Sequence, residues 1–385
     1  MSARRAEIVG AGFAGLAAAC ALAGRGWQVR VHERGDRIRS AGAGIYIYEN
    51  GLRVLQALGA LDAAIRTAPL ATTREVRDEQ DRVVASHSWS TSLRVYSIVR
   101  QRVIDALADA ARARGVTIET GSEVVSAKAS GEITLADGRT LSADLVVGAD
   151  GINSRVRDAL GLVRTRRPMA DGAIRVLLDQ DEAERAATDL NRTIEYWSGK
   201  RRVLYTPCSD GQLYLALTML DSDRLGTQIP IDVTSWARDF PHLAHLFQRI
   251  GAAGRYDRFE YVSLKRWSAG RVAILGDAAH ALPPNIGQGA GCSMMNALSL
   301  AEALAAEPDA DEAGMTRALA AGERRERPLT QHTQRVSVFL GLPTAWPPPL
   351  RRAFFAFAGR SRWLTEMRTR TARHIPTGTA DAAAR

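Results

Sequence analysis

The feature that most constrains this chain is a glycine-rich turn near its start, Gly10-Ala11-Gly12-Phe13-Ala14-Gly15. An apolar run, Ala6-Glu7-Ile8-Val9, precedes it and reads as a buried strand, and a helix-prone run from Leu16 to Ala23 follows. A second strand is predicted over Gln28-Val29-Arg30-Val31-His32, ending at Glu33. G-x-G-x-x-G between strand and helix, with an acid about twenty residues on, is the pattern that cradles a dinucleotide. Gly10 permits the tight turn, Gly12 lets the main chain approach a pyrophosphate, and Gly15 lets the helix pack closely on the strand. Phe13, Ala14 and the helix start beyond them offer amide donors and the positive end of the helix dipole to phosphates. Glu33, with Arg34 beside it, is placed to meet ribose hydroxyls. The motif alone does not choose between NAD and FAD.

Two later segments make that choice. Residues 144–151 read Asp-Leu-Val-Val-Gly-Ala-Asp-Gly, a buried strand ending at Asp150-Gly151. Residues 272–277 read Val-Ala-Ile-Leu-Gly-Asp, another buried strand, ending at Gly276-Asp277. Pro283-Pro284 and the small-residue run Gly287-Gln288-Gly289-Ala290-Gly291 come next, and a helix is predicted from near Cys292 towards Leu304. Asp277 would accept a hydrogen bond from a ribityl hydroxyl. The amides of Gly287, Gln288, Gly289 and Ala290 would face a flavin ring and the charge that builds on it.

In this order the three motifs resemble the class A flavin-dependent monooxygenases, the para-hydroxybenzoate hydroxylase fold, from about residue 6 to about residue 305. The resemblance implies non-covalent FAD, with its ADP half on the first motif. The Asp150 motif would serve FAD and a transient NADH or NADPH, and Asp277 the ribityl chain. Arg100, opening a helix predicted over Arg100 to Arg114, matches the family arginine that contacts FAD. A second G-x-G-x-x-G for a separate nicotinamide domain is lacking, which suits this class. Finer segments are similar to oxygenases of the 2-methyl-3-hydroxypyridine-5-carboxylate type. They are Gly42-Ala43-Gly44-Ile45-Tyr46, Asp171-Gly172-Ala173-Ile174-Arg175, Arg202 to Cys208, Leu213-Tyr214-Leu215 and Gln288 to Cys292.

That likeness puts Gly44 in the flavin loop, Tyr46 in the ring pocket, and Pro284 on the flavin C4a side, where it would keep bulk water out. It puts Arg202 and Tyr214 where the family grips the substrate carboxylate, a fork and a phenol donor that suit a planar anion. Two positions depart from the pattern: Arg74 and Phe259 stand where tyrosines are found. If they line the pocket, it has gained a positive charge and lost a hydroxyl. His280, after Gly-Asp-Ala-Ala, reads as a structural support of its loop.

The implied enzyme is an FAD-dependent, NAD(P)H-consuming monooxygenase. Its substrate would be a small hydroxylated aromatic carboxylate of the 3-hydroxypyridine-carboxylate type, oxygenated by a flavin C4a-hydroperoxide with ring opening. Such an activity belongs to aromatic compound catabolism and pyridine degradation. The alternatives are simple ring hydroxylation, as in salicylate- or 6-hydroxynicotinate-type enzymes, and a non-catalytic flavin-fold binding protein.

The fold class expected is α/β. A Rossmann-like FAD domain (1–70, 99–170, 266–305) interleaves with a mostly antiparallel substrate sheet (71–98, 171–265), and a helical region (306–385) follows. Strands are predicted over Thr193 to Trp197, Arg202 to Thr206 and Gln212 to Thr218 by alternation and aromatic content. The formal charge is +9, carried almost wholly by arginine, with lysine only at 128, 200 and 265. That charge forms no stripe interleaved with aromatics, so nucleic acid is not expected as a partner. No run approaches the ~18 apolar residues of a spanning helix, so no membrane partner is expected either. Cys20, Cys208 and Cys292 form no C-x-x-C pair and fit reduced thiols in a cytoplasmic monomer or homodimer. The histidines show no metal-ligand spacing.

Overall fold

The computed structural model of the protein describes residues 3–38, 43–90, 92–186, 191–307 and 311–379. Gly42 of the flavin loop lies outside them. The apolar run at the start forms strand Arg5–Val9, buried from Ala6 onward. It is the inner strand of a six-stranded sheet. Leu145–Gly148 and Gln28–Glu33 flank it in parallel, Val272–Ile274 and Thr117–Thr120 extend the two sides, and Ser268–Ala269 closes one edge. The crossover between the first two strands is helix Phe13–Ala23. It is apolar on every side, as a helix covered all round must be. Helices Gly289–Ala305 and Arg100–Arg112 enclose it.

Both glycine-led helices start three residues before the predicted point, at Phe13 rather than Leu16 and at Gly289 rather than Cys292. Glycine lowers helix propensity. Propensity therefore hides the first turn, which packing then supplies.

A second, seven-stranded sheet stands beside the first. Its order is Tyr256–Leu264, Val163–Asp179, Gln212–Leu220, Arg201–Cys208, Arg192–Ser198, Thr73–Arg77, Val83–Ser88. Its pairs are antiparallel apart from Arg192–Ser198 with Thr73–Arg77. One face packs Ile174, Val203, Leu215 and Leu217 on Trp236, Phe240 and Phe247 of the helical segment behind it. Truncating such buried aromatics typically costs ~3–5 kcal/mol. The other face carries Arg175, Tyr214, Thr206, Arg202, Glu195 and Arg74.

The segment Asp171 to Arg175 lies inside a much longer strand, 17 residues over Val163–Asp179. Its first half pairs with Tyr256–Leu264, and the register shifts between Pro168 and Gly172. Pro168, which lacks an N–H, and the exposed arginines before it mask the strand in sequence.

Gly44–Tyr48 and Val95–Val99, far apart in sequence, form a separate two-stranded antiparallel sheet, and the second strand runs directly into helix Arg100–Arg112. At the C-terminal end, helix Glu312–Phe339 runs 28 residues through Pro328, followed by Pro348–Arg360 and Arg362–Thr369. No helix among the described residues is long and apolar enough to cross a membrane.

Candidate functional site

The first glycine turn behaves as three separate devices. Gly10 has φ +100°, and a Cβ there would sit 2.5 Å from the Ala149 carbonyl oxygen. At Gly15 a Cβ would sit 1.9 Å from the Gly10 oxygen, so helix and strand touch through this residue. At Gly12 a Cβ would meet nothing within 4 Å. Gly12 is therefore not needed by the protein's own packing; it keeps open a cradle in front of the helix. The helix has no acidic residue in its first turn, and its leading amides have no intrahelical acceptor. Glu33 at the end of the second strand ties the turn down. Its Oε2 accepts from the Ala11 amide at 3.0 Å and its Oε1 from the Gly35 amide at 2.9 Å. Arg34 beside it is exposed.

Beyond this cradle, Arg100 lies with its guanidinium 5.0 Å over the Phe13 ring. Its Nε is buried without a hydrogen-bond partner. Asp277, at the start of the short helix Asp277–His280, is reached by solvent yet lies deep in the cleft. Burial there raises its carboxyl above the usual carboxylate range, against the opposing charges of Arg100 and Arg175. Gly289, which opens the long helix, also has nothing within 4 Å of a Cβ. Open space at Gly12 and Gly289, an unpartnered donor on Arg100 and a solvent-reached acid at Asp277 fit a phosphate-bearing cofactor with a polyol chain. Replacing Asp277 with Ala should remove a charged acceptor worth ~1.5–3 kcal/mol. The FAD dissociation constant of the apoprotein should then rise about tenfold or more, at ~1.4 kcal/mol per decade. An unchanged constant in a fluorescence titration would put the ribityl chain elsewhere.

The remaining cofactor-loop residues divide between cradle and scaffold. Asp150 uses its carboxylate locally, accepting from Ser154 Oγ at 2.5 Å and from the amides of Arg155 and Val156 at 2.7 and 3.2 Å. It caps the helix that follows, and no described contact turns it towards the cleft. The buried Gln288 accepts from Asn50 Nδ2 through Oε1 at 2.9 Å. Gly287, at φ +63°, rests against the Tyr48 and Tyr46 rings. Pro284 is exposed and Ala290 buried. His280 is buried, with Nε2 2.9 Å from Asn296 Nδ2. Burial drives its pKa down to about 4. The neutral ring accepts from the amide, as the structural reading of this histidine expects.

The structure does not bring Arg202 and Tyr214 together. They are on adjacent strands and the same face, but Arg202 lies opposite Thr218 and Tyr214 opposite Thr206. Four residues of strand separate them, about 13 Å at ~3.3 Å per residue. Tyr214 lies under Gly44, where a Cβ would sit 2.5 Å from its ring, and the Arg175 charge lies close enough to act on its hydroxyl. Arg175 in turn is 3.6 Å from Asp257 and 5.5 Å over the Phe259 ring. With Ala43, Arg255 and Asp257 it lines a cavity of about 390 Å³.

Arg202 is spent elsewhere. It donates through Nη1 to Glu195 Oε1 at 3.0 Å and through Nη2 to Asn285 Oδ1 at 3.1 Å. Asn285 is itself held by donating to the Ser337 carbonyl at 3.0 Å, so Arg202 reaches the Pro284 loop. Arg74 also pairs with Glu195. Its charge is therefore set against a carboxylate on the same face of the sheet. Tyr46 bonds its hydroxyl to Thr206 on the substrate sheet.

Glu195, Asn285 and Arg175 escaped the sequence reading as site residues. Only Glu195 left a signal: a charge at an alternating position of Thr-Ile-Glu-Tyr-Trp, all five of which are buried.

Comparison with known proteins agrees with this geometry. A family model described as "FAD binding domain" matches residues 5–336. A putative 2-heptyl-3-hydroxy-4(1H)-quinolone synthase of Rhodococcus erythropolis is 43 % identical over 375 residues, 97 % of each chain. A 2-heptyl-3-hydroxy-4(1H)-quinolone synthase of Mycobacteroides abscessus is 41 % identical over 367 residues, 94 % of this chain and 96 % of that one. Among solved structures, a tetrameric form of 2-methyl-3-hydroxypyridine-5-carboxylic acid oxygenase superposes with TM-score 0.86 at 38 % identity, covering 98 % of both chains. NADH or NADPH is the co-substrate typical of such oxygenases. The chain belongs to the FAD-binding family of class A flavin-dependent aromatic monooxygenases, and FAD is its cofactor.

Proposed function

We propose that the protein hydroxylates a ring carbon of an uncharged nitrogen heteroaromatic of the 4-quinolone class, using O2 and NADH or NADPH. One oxygen atom enters the ring and the other leaves as water, with two electrons from the nicotinamide. Bound FAD supplies the electron transfer and the activation of O2. The residues supply position. Gly12 and the helix start hold the phosphates, while Arg100 and Asp277 hold the far side of the cofactor. The loop from Pro284 to Ala290 walls the ring from water. Tyr46, tied to Thr206, fixes the distance between that loop and the substrate sheet.

The observation that carries this reading is the Arg202–Glu195 pair. Arg202 already donates to a buried carboxylate, so it has an anionic partner without a substrate carboxylate. The relatives above 40 % identity, named as quinolone synthases, support it.

A second reading keeps the carboxylate: ring opening of a 3-hydroxypyridine carboxylate in pyridine degradation. The 38 % identical oxygenase structure favours it, as does Arg175 in the lining of the cavity.

One screen separates the two. Purified holoprotein is offered 2-alkyl-4-quinolones, hydroxypyridine carboxylates and hydroxybenzoates, while nicotinamide oxidation and product mass are followed together. A quinolone that gains one oxygen atom is the expected result. A pyridine carboxylate that gains two oxygen atoms and two hydrogens, one oxygen from O2 and the other with the water that opens the ring, establishes the second reading and overturns the first.

A further inference from the structure

Glu195 is the group that the family chemistry does not account for. It is 6 % exposed, in the middle of strand Arg192–Ser198. Its oxygens are divided between two strands: Oε1 accepts from Arg202, Oε2 from Arg74. Arg202 is held on its other sides as well, by Asn285 and by the Trp197 ring at 5.2 Å. A third cation, Arg368, lies 5.8 Å from the Trp89 ring, near enough for its charge to act on Glu195. Burial alone would raise the Glu195 carboxyl. The charges of Arg74, Arg202 and Arg368 outweigh it and hold the group below the usual carboxylate range. Glu195 is therefore an anion beside the arginine that points to the Pro284 loop.

We propose that Glu195 is a specificity-determining residue: an internal counter-ion that occupies Arg202 and turns the ring pocket against carboxylate-bearing rings. The inference deepens the quinolone reading and rests on it for the identity of the favoured ring. A ring carboxylate reaching Arg202 must displace Glu195 or lie against it. Placing like charges side by side is how a site rejects a competitor. An uncharged ring meets no such barrier.

The test uses the FAD-loaded full chain, titrated with benzoate and with its uncharged isostere benzamide and read by flavin absorbance. Glu195→Gln keeps the shape and removes the charge. Benzoate affinity should rise about tenfold, a gain of ~1.4 kcal/mol, while benzamide changes by less than about threefold. Adding Arg202→Met to that variant should cancel the gain. Equal benzoate affinity in wild type and Glu195→Gln overturns the proposal, as does a gain that survives the loss of Arg202. Should Glu195→Gln fail to retain FAD, Arg74→Met decides. It leaves Glu195 to Arg202 alone, and the benzoate-to-benzamide affinity ratio should fall at least threefold or so; an unchanged ratio overturns the proposal. Neither probe requires turnover. A protein that rejects every quinolone can still show the charge effect, so the two failures are distinguishable.

Discussion

Gly12→Val is expected to fold and to retain no FAD. The backbone at Gly12 is extended, with φ −86° and ψ −172°, which any residue adopts. A Cβ there meets nothing within 4 Å. Only a ligand brought up to the main chain can collide with the new side chain, and a pyrophosphate must come that close. Gly15→Val is the contrasting case. Its Cβ would lie 1.9 Å from the Gly10 oxygen, so helix Phe13–Ala23 would be pushed off the first strand. That variant should lose folded protein together with cofactor. The ratio of flavin to protein absorbance, with circular dichroism and gel filtration as fold checks, reads both. A folded Gly12→Val with a full complement of FAD would refute the cradle.

The cradle was legible in sequence because its parts are local. Strand, turn, helix and acid fall within 33 residues, and each glycine has one steric reason to be there. The strands of the second sheet were legible where apolar and ring residues alternate. They were lost over residues 163–170, where arginines and a proline dominate and the strand is set by its partner Tyr256–Leu264. The substrate face was read least well, for a different reason. Arg202 could be placed on its strand, but its electrostatic partner could not. Glu195 meets Arg202 across a strand pair in which Trp197 is the registered neighbour, and it meets Arg74 over 121 residues of chain. Pairing of that kind follows from strand order, and the parallel placement of Thr73–Arg77 beside Arg192–Ser198 has no local signature. Resemblance supplied the residue types of a carboxylate grip. The register sets Arg202 and Tyr214 four residues apart and gives each another partner.

In Arg100→Met, stability of the apoprotein and affinity for FAD should move in opposite directions. Three unfavourable terms coincide at Arg100. It is the first residue of helix Arg100–Arg112, where a cation opposes the helix dipole. The helix has no acidic residue in its first turn to offset it. Its Nε is buried without a partner, and burial, with repulsion from Arg175, lowers its pKa against the attraction of Asp277. Relieving an unsatisfied buried donor is typically worth ~1–3 kcal/mol. Methionine keeps much of the bulk over the Phe13 ring, so the melting temperature of the apoprotein should rise. The cofactor loses a charge-assisted hydrogen bond, ~1.5–3 kcal/mol. The FAD dissociation constant should therefore rise about tenfold to 150-fold at ~1.4 kcal/mol per decade. Calorimetry of the apoprotein and fluorescence titration with FAD measure the two sides separately. A lower melting temperature with unchanged FAD binding would make Arg100 a structural residue. A residue that destabilises the empty fold and tightens the loaded one is held for its ligand.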